Sequence, residues 1–352
     1  MHILQAQTAR YLTRLVDTVQ PNLVLLLGQP YWIASLLKAL QPYRDRLKVI
    51  NYTPIEGKLI KQESLTPLRF VDHCILYTEF SRQNLHQLGT QRKQHDPDFL
   101  LPTLHVLPHG VDTQKFHPYY STSKAAFNND KRIALRRLIF PDNPELKDAF
   151  IVLNANLPYF RKRIDITLEG FKRFAQGKPA NVYLYLHQIN LDSYTLRKLR
   201  ALAEQLGMTQ RLLFNLLNPT SKPISDQQLN LLYNACDIGI NTAMAEGWGL
   251  VSFEHAATGK PQIVPNHTGL SELWQGAASF LEPIERGYLW YEQSETYIVS
   301  PEDVANRLEQ LYTDPDYRLQ MAVSAYQRAT TPANHWSAVS KQFEKLLPSL
   351  LS

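Results

Sequence analysis

Only two cysteines occur among 352 residues, Cys74 and Cys236, far apart and each in an apolar setting. That pattern excludes a disulfide framework and a cysteine-built zinc site, and it points to two buried thiols in a reducing compartment. No apolar run approaches the roughly 18 residues that a membrane-spanning helix needs. The N-terminal stretch MHILQAQTARYL lacks the apolar core of a signal peptide. Charge of one sign is scarce too. A formal net charge of +5 suits an anionic ligand or an anionic membrane surface but is no nucleic-acid signature. The histidines are scattered without metal-ligand spacing, so neither a bound metal nor a cofactor is expected. Short-period repeats and low-complexity tracts are missing as well. The expectation is a soluble cytoplasmic protein, with peripheral membrane contact left open.

What is there alternates between strand and helix. Ile3 to Val19 has helical spacing, with Leu4, Tyr11, Leu12, Leu15 and Val19 on one side, and Pro21 ends it. NLVLLLG (22–28) is an apolar run of buried-strand length, followed by helical Tyr31 to Leu40. LKVINYT (47–53), HCILYT (73–78) and TLHVLP (103–108) read as further strands. EFSRQNLHQLG reads as a helix closed by Gly89. Strands separated by helices imply right-handed crossovers and a parallel sheet covered on both faces.

The segment 119–148 is polar and carries one short basic helix near Lys131 to Leu138; it reads as a linker. The pattern then restarts. Strands are expected at 149–156, in NVYLYLHQ, RLLFNLL, DIGINT (237–242) and QIVPN. Helices are expected at Ile164 to Gln176, Ser193 to Leu206, after a Ser225/Gln228 capping box, at Leu250 to Thr258 and in SPEDVANRLEQLY.

DIGINT runs into AMAEGWG and then LVSFEHAAT, a strand, loop and helix in which Glu246 and Glu254 stand seven residues apart. Ligands of open α/β sheets bind at the carboxyl ends of strands, and a helix N-terminus suits a phosphate. Gly247 and Gly249 let backbone approach a ligand closely. A side chain one turn into a helix leans back toward its N-terminus, so both acids can face one cavity. Carboxylates accept hydrogen bonds from hydroxyls; two of them beside a phosphate site fit a nucleotide sugar. A helix-capping Glu254 and a solvated Glu246 fit the same spacing equally well.

The run NLLYNACDIGINTAMAEGWGLVSFEHAATGKPQIVPNHTGLSEL resembles the C-terminal domain of retaining glycosyltransferases of the GT-B fold. The two acids of its Glu-x7-Glu pattern fall on Glu246 and Glu254, followed by Gly259, Pro261, Gly269 and Glu272. LHVLPHGVDTQKFHP is similar to the end of that family's first domain, through Gly110, Val111, Asp112 and Phe116.

The resemblance implies an α/β protein of two Rossmann-like domains facing a cleft. The first would be an acceptor-side domain over 1–118, completed by 334–352, where a terminal helix with Trp336 and Phe343 crosses back. The second, over 149–333, would hold the donor. Glu254 would grip the ribose hydroxyls. Glu246 would lie beside the donor sugar, and the backbone of Gly247, Trp248, Gly249 and Leu250, with Asn156 and Gly269, would meet sugar and phosphate. Lys162 and Arg161 would neutralise the diphosphate as it departs. The family's usual arginine near the strand end is not evident beside Ala155 and Asn156, so either Arg161 or Arg163 would replace it or phosphate binding would be weaker. Glu56 and His109 are the acceptor-side candidates, Glu56 competing with a plain loop-acid reading. About two strands and a helix of the family's first domain are not evident, and a second copy or another chain could complete the lobe. The implied activity is transfer of a sugar from a nucleotide-diphosphate sugar to an unknown acceptor with retention, without a metal. A non-catalytic nucleotide-sugar-binding or scaffold subunit, and a sugar-nucleotide epimerase of the same fold, stay open beside it.

Overall fold

The computed structural model describes residues 2–119, 129–187, 194–217 and 223–351. The expected helix start at Ser193 and part of the expected linker, residues 120–128, lie outside them.

The first half places helix α1 (His2–Val19), strand β1 (Leu23–Leu27), helix α2 (Ala34–Ala39), strands β2 (Lys48–Thr53), β3 (Lys58–Leu59) and β4 (His73–Leu76), helix α3 (Glu79–His95) and strand β5 (Thr103–Val106) in succession. Four strands form a sheet in the order β1-β2-β4-β5, parallel throughout. Side chains alternate between its faces, as the two-residue strand period demands. Val49 and Leu76 join Leu37, Leu65 and Leu85 on one side; Ile50 and Ile75 join Leu107 on the other.

Two local expectations need correction. α3 does not stop at Gly89 but continues to His95, because the polar QRKQH extension supports another turn and a half. Gly89 is instead a close-packing position: a β-carbon there would meet Leu101 at 2.9 Å. In α1 the buried residue is Val16, while Tyr11, Leu15 and Val19 are exposed. The helix packs mainly on α2, beside the edge strand β1, which leaves Tyr11, Leu15 and Val19 of its apolar stripe exposed.

The second half contributes α4 (Asn129–Ile139), β6 (Phe150–Asn154), α5 (Ile164–Ala175), β7 (Val182–Leu186), α6 (Tyr194–Gln205), β8 (Leu212–Phe214), α7 (Asp226–Ala235), β9 (Ile238–Ile240), α8 (Leu250–Ala256), β10 (Gln262–Pro265), α9 (Thr268–Leu273) and β11 (Ser279–Leu281). Its sheet is parallel in the order β11-β10-β9-β6-β7-β8. The order reverses between β6 and β9, which opens a crevice outside their carboxyl ends. α4 is more than a connection. Its Arg136 is fully buried, donates to Asp237 Oδ2 at 2.7 Å and to the Ala235 carbonyl at 2.8 Å, and so ties the segment to the second sheet.

A hairpin of β12 (Pro283–Leu289) and β13 (Ser294–Val299) follows, which sequence reasoning did not anticipate. β13 pairs with β3 through Ser294 and Glu295 opposite Leu59 and Lys58, so a hairpin from the second lobe extends into the first. Helices α10 (Pro301–Thr313), α11 (Pro315–Ala329) and α12 (Trp336–Leu351) end the chain. α12 returns to the first sheet, where Val339 and Leu350 pack with Ile50 and Ile75. No helix among the described residues is long and apolar enough to cross a membrane.

Candidate functional site

The crevice at the reversal point holds a cavity of about 460 Å³, walled by both lobes. Pro54, Glu56, Tyr77 and His109 come from the first; Asn156, Arg161, Lys162, Glu246, Glu254 and the Gly247–Val251 backbone come from the second. The two acids of the glycine-rich motif therefore open onto one space.

Local geometry explains how. Gly249 starts α8 with φ +84, a backbone state that disfavours side chains, and it gives the helix no side-chain cap. Gly247 lies under the first lobe: a β-carbon there would come within 2.9 Å of Pro54. Gly269 sits behind the loop rather than in the cavity, where a β-carbon would meet the carbonyls of Glu246 and Gly247 at 2.9 Å. Trp248 turns inward, stacks on Phe253 at 4.9 Å and meets the His109 ring edge-on at 6.3 Å.

Glu246 is the electrostatic centre. It forms an ion pair with Lys162, a second with Arg161 Nη1 at 3.0 Å, and accepts from Asn241 Nδ2 at 3.2 Å. Burial works against its charge, but Lys162 and Arg161 outweigh it and hold the carboxyl down at about 2. Lys162 also donates to Asn156 Oδ1 at 3.1 Å, which in turn is fixed by Asn154. Arg161 reaches across the cleft to Glu56 at 2.6 Å. Arg163 is not a substitute, because it turns away onto Asp165 at 2.8 Å.

Glu254 lies apart from these cations. It accepts from the Tyr233 hydroxyl at 3.1 Å, and burial pushes its carboxyl up to about 7. His109 stacks on Tyr77 at 4.7 Å and packs edge-on to Trp336 of α12. Burial lowers its ring to about 4, so it is neutral at physiological pH. Glu56 is no loose loop acid. It is 8% exposed, bound by Arg161 and by the Tyr291 hydroxyl at 3.2 Å, and its pKa is raised mainly by burial.

Sequence reasoning missed five neighbours. Asn241 follows β9 and His187 follows β7, both at strand ends where an open sheet takes its ligand. Buried His187 lines the cavity, and its Nδ1 has no hydrogen-bond partner among the described residues. Tyr233 read only as an apolar-face residue. Tyr291 and Glu292 join the site through the hairpin, which carries no local signal. Buried Glu292 accepts from the backbone N–H groups of Glu56 and Gly57, each at 2.9 Å, and from Ser294 Oγ at 2.7 Å.

Three comparisons bear on this geometry. The family described as "Glycosyl transferase-like" matches residues 197–345. A mannosylfructose-phosphate synthase of Agrobacterium fabrum is 24% identical over 171 residues, which is 47% of this chain and 33% of that protein. A D-inositol 3-phosphate glycosyltransferase of Corynebacterium urealyticum is 29% identical over 153 residues, 43% of this chain and 31% of that one. The matched part thus spans about a third of either relative's length. Among solved structures, sucrose-phosphate synthase of Thermosynechococcus elongatus superposes with TM-score 0.73 at 14% identity, over 98% of this chain and 77% of its own. HepE of Anabaena, in complex with UDP and glucose, gives TM-score 0.70 at 17% identity, over 97% and 82%. These likenesses extend the match from the second lobe to the whole fold. Residues 197–345 thus resemble the glycosyl transferase-like family, and the chain as a whole has the GT-B fold.

Proposed function

We propose that this chain moves a sugar from a nucleoside diphosphate sugar to an acceptor hydroxyl, with retention of anomeric configuration, in the cytoplasm and without a resident metal. The observation that carries the reading is the single cavity at the sheet reversal into which Glu254, Glu246, Lys162 and Arg161 all open, with Glu56 opposite. Glu254 takes the ribose hydroxyls and Tyr233 steadies it. Glu246 lies at the donor sugar. Lys162 and Arg161 face the diphosphate. The Lys162 ammonium has three protons and, among the described residues, two acceptors, so one is left for an oxygen of the ligand. Fixed cations stabilise the charge that develops on the leaving diphosphate without reorganising during the reaction. Retention agrees with a one-faced displacement in which the departing phosphate takes the acceptor's proton.

A binding screen of nucleotide sugars, with UDP-glucose as first probe, tests the donor reading on the wild type beside Glu254→Ala. Saturable binding lost in the variant supports it; equal affinity in both removes Glu254 from the site. Release of free nucleoside diphosphate only with an acceptor present separates transfer from a scaffold subunit. Isomerised sugar nucleotide without acceptor would indicate an epimerase. NMR of the product's anomeric proton tests retention.

A further inference from the structure

Four aromatic side chains form a row beside Glu56. Trp32 and Tyr31 belong to the first lobe, with ring centroids 5.1 Å apart; Tyr291 and Trp290 belong to the hairpin turn of the second, 5.6 Å apart. Tyr31 and Tyr291 join the two halves at 5.5 Å. The ends of the row are exposed, Trp32 at 47% and Trp290 at 73%. Its middle covers a second cavity of about 130 Å³, lined in part by Glu63, Ser64, Glu292 and Gln293. That is several times what one water needs, roughly 10–15 Å³. The Gln293 Oε1 atom is buried there without a hydrogen-bond partner among the described residues. The hydroxyl of Tyr291, which lines this second cavity, donates to the carboxylate of Glu56, which lines the first, so one hydrogen bond links the walls of the two spaces.

We propose that this row and its cavity are the acceptor subsite, and that the acceptor is a saccharide. The inference rests on the donor reading above, whose acceptor it specifies. A sugar presents an apolar C–H face and a rim of hydroxyls. Trp and Tyr offer large apolar faces with a polar edge, and few placed polar groups fix the orientation of a ligand lying on them. Glu56 and Glu63 can accept hydrogen bonds from hydroxyls, and Gln293 Oε1 has an acceptor position to fill. A lipid surface fits less well: carboxylates behind the row repel an anionic membrane, and acyl chains would leave those acceptors unpaired. The row crosses from one lobe to the other, and at its middle Tyr291 touches Glu56, the acid paired with Arg161, where an acceptor hydroxyl meets the donor. In the transfer the hydroxyl oxygen bonds to the anomeric carbon. The bond from that carbon to the diphosphate oxygen breaks, and the hydroxyl proton leaves on the diphosphate.

Saturation-transfer NMR on the full chain with UDP present tests this, using glucose, galactose, mannose, maltose and sucrose in turn. At least one sugar is expected to show transfer. Trp32→Ala and Trp290→Ala should each weaken it tenfold or more, Trp290→Phe should keep at least half of it, and UDP affinity should stay within twofold. No transfer to any of these sugars, or equal transfer in the alanine variants, overturns the proposal. Binding to phosphatidylglycerol vesicles that both variants lose would overturn it in favour of a membrane contact. Saccharide binding without UDP binding keeps the subsite and sinks the donor reading instead.

Discussion

Arg161 Nη2 lies 2.6 Å from the Glu56 carboxylate, and this ion pair spans the cleft from one lobe to the other. The same guanidinium holds Glu246 at 3.0 Å, so one cation organises an acid on each side of the cavity. Burial opposes its charge, but the two acids raise its pKa above the ordinary arginine value. Arg161→Gln removes a fixed positive charge from the departing diphosphate. We expect kcat to fall about 100- to 1,000-fold, the size seen when one preorganised donor is lost. Steady-state kinetics check it; an unchanged kcat removes Arg161 from the chemistry.

Glu254 gives a pH test with two opposite readouts. Its carboxyl ionises at about 7 because it is buried beside Tyr233, against 4.5 unperturbed. Donor binding that uses the ionised form should weaken as pH falls from 8 to 6. Folding stability runs the other way. A raised pKa contributes stability that is complete below about 4.5 and is lost as pH rises through 7. Glu254→Gln, which keeps an oxygen for the Tyr233 hydroxyl, should therefore be more stable than wild type at pH 8 by about 1–3 kcal/mol. Denaturant melts at pH 5 and pH 8 would show the gain at the higher pH only.

Asp237 and Arg136 form the buried ion pair that binds α4 to the second sheet. Burial would raise the Asp237 pKa, but Arg136 and Arg132 drive it far below the usual carboxylate range. Asp237→Ala leaves the Arg136 charge buried with one fewer anion and is expected to cost about 3–5 kcal/mol. The contribution is present above the ordinary carboxylate pKa and disappears only as pH falls through the depressed one. Chemical unfolding at pH 7 should show this cost and at pH 3 should still show most of it; a loss under 1 kcal/mol at pH 7 contradicts the assignment.

Glu292 ties the hairpin to the first lobe at Glu56 and Gly57. Burial, with Glu56 nearby, pushes its carboxyl up to about 7, while two backbone N–H groups and Ser294 hold it in place. Glu292→Ala leaves those N–H groups of Glu56 and Gly57 without their acceptor, at about 1–3 kcal/mol for each that stays buried. Hydrogen exchange at Gly57 should accelerate, and KM for the acceptor should rise more than KM for the donor. Equal changes in both would show a general loss of structure instead.

How much of this could be read from residues depends on how local the signal is. Glu246, Gly247, Gly249 and Glu254 occupy one strand, loop and helix, so their spacing allowed a shared cavity, which it took the fold to choose over a helix cap and a solvated acid. Lys162 and Arg161 were legible as a basic turn after a strand, although only the fold shows that Arg163 points elsewhere, onto Asp165. Glu292 was not legible. It acts on residues 235 and 236 positions away, and β12 exposes Pro283 to Arg286 on both faces, which hides the strand period. Gly89 misled because a glycine that ends helices elsewhere here makes room for Leu101. The face of α1 was misjudged because periodicity locates an apolar stripe without saying how much of it a neighbour covers.

The central claim is that a diphosphate sits between the carboxyl ends of β6 and β9, against Lys162 and Arg161. A crystal structure of the full chain with UDP tests it most directly. The account predicts phosphate oxygens within hydrogen-bond distance of the Lys162 ammonium or the Arg161 guanidinium, and ribose hydroxyls on Glu254. UDP bound elsewhere, with the Glu254 carboxylate still facing only Tyr233, would contradict it.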